Sequence, residues 1–432
     1  MRRSHRSITV EHPALLKQQL LHWAQYAREV VFMDSNNYPH LYAEYDFLLA
    51  VEAFTVLKTD YSGAFEALHQ YQIRSKDWLF GYLSYDLKND LEELTSQHVD
   101  GLGFPDLYFF QPKKLFLLQG DVLELHYLNF CDDEMDDDLK TIFQTSLPVM
   151  ESQSATLTIH PRISKESYLQ RTHEMLAHIH RGDIYEANFC QEFYSESAEI
   201  DPLQVYLKLN QISEPPFATY LKLDSHYLMS ASPERYLKKQ GTKVISQPIK
   251  GTAPRHEDIH QDEAAKRSLE QNPKERSENI MIVDLVRNDL SRTATKGSVT
   301  VEELCGIYSF KQVHQMISTI TSEVAPETSP VDIIQTTFPM GSMTGAPKIS
   351  AMHIIEKLES TRRGLYSGAV GYFTPDGDFD FNVVIRSVLY NAEQKYLSFS
   401  VGSAITAEAI PEQEYEECLL KAKAIFEILK AF

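Results

Sequence analysis

The sequence predicts an α+β protein with a large mixed or antiparallel sheet. Two observations predict it. Short runs with strand patterning recur along the chain, and helical patterns fall between them and after them. At 432 residues and 43% hydrophobic, the chain can bury a full core without disulfide or metal staples.

In chain order, residues 12–31 have helical periodicity. Residues 107–130 alternate apolar and polar side chains about a turn at Gln119, Gly120 and Asp121, and read as paired strands. The acidic run at 131–138 lacks the Gly and closing Glu of a calcium loop and reads as a solvated loop. Residues 145–157, rich in Ser, Thr and Pro, read as a linker. It separates an N-terminal α+β subdomain (1–145) from a second part (160–432) that carries the denser motifs. Residues 165–181 are helical, ending near Gly182. Segments 218–223 and 226–231 read as strands about a polar turn. Residues 274–285 read as helix, with acids at its start. Segments 368–373 and 379–389 are strands flanking Pro375, Asp376 and Gly377, which signal a turn. Another strand covers 395–401. The closing helix has Pro411 in its first turn and Leu419, Ala422, Phe426 and Leu429 on one face.

Composition excludes several classes. Forty-one basic against 61 acidic residues give a net charge of −20, which argues against a nucleic-acid partner. The four cysteines lie far apart with no CxxC pair, which excludes a zinc ribbon and a disulfide framework and fits a reducing compartment. No apolar run approaches the ~20 residues of a membrane span, and the basic N-terminus lacks the apolar core of a signal peptide. A cytoplasmic protein with no membrane partner is therefore expected. An anionic substrate would need a local cation, a basic cluster or a helix N-terminus to overcome the acidity.

Four groups of residues could do chemistry. Glu275 with Glu278, and Glu414 with Glu417, are acid pairs three apart in predicted helices, so each pair shares a helix face. Brought together they would suit a hard cation such as Mg2+; apart they are solvated faces. Lys250, in a segment bounded by Pro248 and Pro254, is an anion clamp, a nucleophile or a surface lysine. Freeing its amine at neutral pH costs about 4.6 kcal/mol at an ordinary pKa, so a nucleophile there needs burial or a cationic neighbour. Residues 338–348 form a Gly-rich turn leading into a helix, which is either an anion site or simply a tight loop. Single candidates complete the set. Arg386, in an apolar strand, would grip a carboxylate or form an internal ion pair. His314 lies in an apolar stretch. Gly402, Ser403 and Ala404 end a strand and could offer backbone N–H groups to an anion.

Together these segments resemble the chorismate-utilising enzymes. The resembling segments are SPER (232–235), QPIKGTAPR (247–255), KERSENIMIVDLVRNDLSR (274–292), VHQMIST (313–319), FPMGSMTGAPK (338–348), RRGLYSGAVGYF (362–373), FNVVIRS (381–387) and the stretch from VGSAIT (401–406) to PEQEYEE (411–417). They stand in the family's order over nearly all of the second part. The first part is similar only at 80–86 and 104–108. The resemblance implies an anthranilate-synthase component I-like α/β/β/α sandwich with large, mostly antiparallel sheets around one Mg2+. It implies metal carboxylates at Glu278 and Glu417 with Glu275 and Glu414 beside them. It implies chorismate contacts at Gly251, Thr252, Thr344, Tyr366, Arg386, Gly402, Ser403 and Ala404, an acid/base residue at Glu234, and a histidine beside the substrate at His314.

Within the family the similarity is closest to component I of aminodeoxychorismate synthase, because Lys250 stands where the anthranilate, isochorismate and salicylate synthases carry Ala. The resemblance then implies amination of chorismate through a covalent Lys250 intermediate, on the route to 4-aminobenzoate and folate. Ammonia would come from a separate glutamine amidotransferase subunit, and a separate pyridoxal-phosphate lyase would act downstream. Anthranilate synthase component I is the alternative, and an isochorismate or salicylate synthase a more distant one. Glu186 stands where isochorismate-type enzymes place a basic Lys and where Gln is common. Met340 and Ala404 replace usual glycines. A tryptophan-binding pattern is echoed faintly at 33–35 and 215–217, too faintly to imply feedback inhibition.

Overall fold

In the computed structural model, which describes residues 2–38, 42–147 and 157–429, antiparallel ladders link the strands into two packed layers. The first layer runs, neighbour to neighbour, through Arg3–Thr9, Val122–Leu128, Leu107–Gln119, Phe47–Thr59, Glu29–Asp34, Phe217–Leu223, His226–Ser232, Ser387–Asn391, Tyr396–Thr406 and Glu186–Ser195. The second runs from Leu107–Gln119 through Leu79–Leu83, Ala369–Phe373, Phe379–Val383, Arg235–Gln240 and Lys243–Gln247 to Val313–Glu323. That last strand also pairs Ile249–Pro254 and Thr300–Ser309. The long strand Leu107–Gln119 belongs to both layers.

Three apolar cores fix the order of layers. One holds Phe80, Tyr82, Cys190, Leu221 and Val370 and contains no helix residue, so it lies between the sheets. A second packs helices Pro13–Ala24, Lys165–Arg181, Pro202–Ser213, Lys348–Leu358 and Pro411–Leu429 on the first sheet. A third packs helices Ala64–Ser75, Pro273–Ser291 and Pro330–Thr337 on the second. The result is the α/β/β/α sandwich that the resemblance implied. Strand alternation shows why both faces are apolar: Val30 and Phe32 point to the helix-side core, Val31 and Met33 to the inter-sheet core. Segments from both sides of residue 150 pair directly, as at Phe80 with Tyr372 and Phe32 with Tyr220.

The structure departs from the sequence expectations at defined places. The helix expected over 12–31 stops at Ala24, and Glu29–Asp34 is a strand buried on both faces. Such a strand has no period of two to betray it. The acidic run is not a loop: it starts helix Met135–Gln144, where acids favour the positive helix end, and Glu134 and Asp138 each pair with Lys114 at 2.6 Å. The strand expected over 379–389 is two strands, Phe379–Val383 and Ser387–Asn391, in different sheets. The strand expected to end before Gly402 runs on to Thr406. The core of the expected linker, 148–156, lies outside the described residues. Among the described residues the four cysteines are free and buried, and no helix is long and apolar enough to cross a membrane.

One buried cation ties the segments together. Arg363 pairs with Glu359 at 2.6 Å, and donates to the carbonyls of Met343 at 2.6 Å and Asn188 at 2.7 Å. Its guanidinium lies 4.4 Å from the Tyr85 ring centroid. Arg362 beside it pairs with Asp86 at 3.1 Å and also with Asp106, so the two N-terminal segments that resemble the family brace this loop. Arg363→Met leaves Glu359 as an uncompensated buried charge. It is expected to cost about 3–5 kcal/mol, read as a lower urea midpoint.

Candidate functional site

The site lies where the chain twice changes sheets. His226–Ser232 belongs to the first sheet and Arg235–Gln240 to the second, and Glu234 sits in the crossing between them. Phe379–Val383 and Ser387–Asn391 make the return crossing, which carries Arg386. The two crossings are hydrogen-bonded to each other, Ala231 N to Arg386 O at 3.1 Å and Val383 N to Glu234 O at 3.0 Å. Arg386 has a φ of 53°, a left-handed conformation rare for a side chain of its size.

Glu234 is 3% exposed and accepts from Ser342 Oγ at 2.6 Å. Burial raises its pKa to about 7, against the opposing pull of that hydrogen bond and of Lys250. A carboxyl near 7 exists in both protonation states at neutral pH, as a general acid or base must. Lys250 begins the irregular part of strand Ile249–Pro254, where the register to Val313–Glu323 shifts. Its Nζ lies 2.6 Å from Glu186 Oε1, with side-chain exposures of 10% and 1%. Burial pulls the lysine pKa down, but Glu186, Glu278 and Glu234 together outweigh it and hold the group as an ammonium. Burial is thus present, but the surrounding side chains are carboxylates where an activated amine would favour a cation.

The two acid pairs come from helices Pro273–Ser291 and Pro411–Leu429, which bring them to one side of the site. Lys274 Nζ lies 3.8 Å from Glu278 and 3.3 Å from Glu414. Glu278 is buried, its Oε1 has no hydrogen-bond partner, and burial raises its pKa to about 7. Glu417 lies at the solvent edge, paired with Lys421 at 2.5 Å, and Glu414 accepts from Ser403. Among the described residues no three such side chains form a ready-made metal cage. The donor set still fits a hard cation that takes one or two carboxylates and completes its shell with substrate oxygens. Glu278, with its orphaned buried oxygen, is the leading donor.

The anion contacts divide. Arg386 is half-buried, its guanidinium donates only to the Lys421 carbonyl at 3.3 Å, and it has no ion pair among the described residues. That leaves it free to grip a carboxylate. Gly402 and Ala404 pair with Cys190 and Asn188, and among the described residues no second strand pairs at 402–404, where Lys421 Nζ donates to the Gly402 carbonyl at 3.0 Å. A Cβ at residue 402 would lie 2.6 Å from Cys190 Sγ, so Gly is required; Ala404 is accommodated. Gly251 has a φ of 92° and lies against Glu275. Thr252 is exposed, and Tyr366 is buried beside the Cys190 thiol at 3.7 Å. Thr344 is buried with its hydroxyl bonded inside its own loop, to Met340 and Gly341 carbonyls at 3.3 Å.

His314 does not join this set. Its Nδ1 bonds Ser309 Oγ at 2.8 Å and its Nε2 bonds Asp262 at 3.1 Å, which spends both nitrogens in a buried network beside helix Ile259–Gln271. Met340 is buried and lines a cavity beside Glu234 and Ser342. Residues 33–35 and 216–217 do meet, in a pocket with Glu44, Tyr45 and Arg235. Sequence reasoning missed Glu186, Ser342 and Lys274 as parts of the site. Ser342 stands inside a quoted motif; for Glu186 the one signal was its departure from the common Gln.

Around the sheet crossing the sandwich gathers a buried lysine, three carboxyls of raised pKa and an arginine with no ion pair among the described residues. The chain belongs to the chorismate binding enzyme family, whose match spans residues 29–427. It is 34% identical over 357 residues to aminodeoxychorismate synthase component 1 of Bacillus subtilis, covering 80% of this chain and 75% of that protein. It is 34% identical over 364 residues to the chloroplastic aminodeoxychorismate synthase of Arabidopsis thaliana, spanning 80% of this chain but only 39% of that longer protein. It is 33% identical over 357 residues to anthranilate synthase component 1 of Thermus thermophilus, covering 81% and 77%. The fold is similar to anthranilate synthase component I of Streptococcus pneumoniae, with a TM-score of 0.76 at 23% identity over 89% of this chain and 93% of that one.

The folded state keeps on Glu234 a proton that the unfolded chain releases. Stability therefore falls as pH rises from the ordinary value of 4.5 to about 7. Glu234→Gln cannot ionise. It is expected to be more stable than wild type by about 2–3 kcal/mol near pH 8, with no gain near pH 4, as read by urea denaturation at both pH values.

Proposed function

We propose that the chain is component I of an aminodeoxychorismate synthase, converting chorismate and ammonia to 4-amino-4-deoxychorismate. The observation that carries this reading is Lys250, buried within reach of a carboxylate and facing Glu234 and Glu278. The Lys250 amine attacks C2 of chorismate and forms a C–N bond. The two ring double bonds shift and the C4–O bond breaks, and Glu234 supplies the proton with which the hydroxyl leaves as water. Ammonia attacks C4, the double bonds return, and the C2–N bond breaks to release Lys250. The enolpyruvyl group stays on the ring. Arg386, with the backbone at 402–404 beside it, holds substrate carboxylate.

Mg2+, the metal implied for this family, would be held by Glu278 and Glu417, with Glu275 and Glu414 behind them, and would neutralise the charge of a dianionic substrate in an acidic protein. A separate glutamine amidotransferase subunit supplies the ammonia, and a separate lyase removes pyruvate afterwards, both in the cytoplasm. The similarity to anthranilate synthases favours a second reading, in which the same fold makes anthranilate and releases pyruvate. Lys250 speaks against it.

Incubation with chorismate, Mg2+ and an ammonium salt, with products identified by mass, tests the choice. An aminated product that keeps the enolpyruvyl group supports the proposal; anthranilate with pyruvate rejects it. Lys250→Ala is expected to fold normally and to lose amination by roughly 1000-fold or more. Near-full activity would remove Lys250 from the chemistry. Glu278→Gln is expected to raise the Mg2+ concentration for half-maximal rate by roughly tenfold or more, and an unchanged Mg2+ titration would exclude it as a ligand.

A further inference from the structure

We propose that Glu186 is the proton acceptor that frees the Lys250 amine for attack. The proposal rests on the covalent reading above and adds the step that reading lacks. An ammonium has no lone pair, so a proton must leave Nζ before any bond to carbon forms.

Three observations single out Glu186. Among the described residues it is the one group hydrogen-bonded to Nζ, at 2.6 Å, which is a charge-assisted hydrogen bond. Glu234 and Glu278 act on the lysine through their charge but make no hydrogen bond to it, and Glu234 is committed to Ser342. Both members of the pair are enclosed, so solvent has little access to carry the proton away. The second oxygen of Glu186 is buried and has no hydrogen-bond partner, so nothing else anchors the carboxylate against protonation.

The backbone fixes the orientation. Residue 186 opens strand Glu186–Ser195, paired on one side with Thr406 and on the other with Ala346. Helix Pro273–Ser291 brings Glu278 to face the pair, and the first sheet crossing brings Glu234.

The step balances. Lys250–NH3+ and Glu186–COO− become Lys250–NH2 and Glu186–COOH. Two buried charges vanish, which removes the desolvation cost that both carry. The neutral amine uses its lone pair to bond C2. After ammonia has bonded C4 and the C2–N bond has broken, the released Lys250–NH2 takes the proton back from Glu186–COOH. An amide at this position keeps the shape and the hydrogen bond but cannot accept the proton. This assigns a function to Glu rather than Gln at residue 186.

The test compares wild type, E186Q and K250A, with chorismate, Mg2+ and ammonium salt, across about pH 6.5 to 9.5, with unfolding midpoints measured for each. The expected result for E186Q is a folded protein with a somewhat lower midpoint, since Lys250 loses its charged partner, a KM for chorismate within about threefold of wild type, and a kcat lowered roughly 100-fold at neutral pH. The deficit should shrink as pH rises, because the proton must then leave to solvent. An E186Q as fast as wild type or faster, with the same pH profile, would overturn the proposal, since a carboxylate that only holds Lys250 charged gives that outcome. If E186Q does not fold, E186D reads the same quantity: a carboxylate drawn back by one methylene should lower kcat and leave KM in place, and an unchanged kcat would overturn the proposal. K250A separates the two levels. An active K250A removes the covalent reading, whereas an inactive K250A beside an unaffected E186Q removes only the role of Glu186.

Discussion

The buried Arg363–Glu359 pair is the constraint on which the site depends. A guanidinium out of water is costly unless its donors are used, and here they go to a carboxylate and to two main-chain carbonyls. One carbonyl belongs to the Gly-rich turn at Met343, the other to the strand that begins at Glu186. Glu359 also accepts from the Cys190 backbone at 2.9 Å. The pair therefore fixes how close the turn lies to the strand, and with it where Glu186 stands relative to Lys250.

Much of the fold was legible because it rests on local rules. Gly182 ends helix Lys165–Arg181 in the left-handed conformation, and Gly120 and Asp121 turn the hairpin where their residue types require. What was not legible depended on tertiary burial. Residues 30–33 are apolar on both faces because two cores claim them, and that pattern is silent about strand or helix. The break at Arg386 needs a backbone conformation that no periodicity reports.

The site divides in the same way. Lys250 and the two acid pairs announce themselves by residue type in marked segments, and Glu234 by the resemblance of its SPER motif. Glu186 is 64 residues from Lys250, on a strand of the other sheet, and only the tertiary fold brings the two together. His314 shows the opposite failure. A histidine in a family-like segment invites a catalytic role, but a strand sends successive side chains to opposite faces, and this one points to Asp262 and Ser309. Arg386 was read with two outcomes open, a ligand grip or an internal pair; among the described residues it forms no ion pair, and Glu417 acts on it only through its charge.

The paired sheet crossings carry a mechanical consequence. Glu234 and Arg386 ride on neighbouring chains that bond to each other at the point where both pass between layers. A sliding of one sheet over the other turns about that point and moves the acid and the guanidinium as one body. Insertions in outlying loops, or drift in the packing of the outer helices, can then alter the rim of the enzyme while the spacing of these two groups stays the same. Such a layout lets one scaffold be re-edged for different reactions without re-machining its centre.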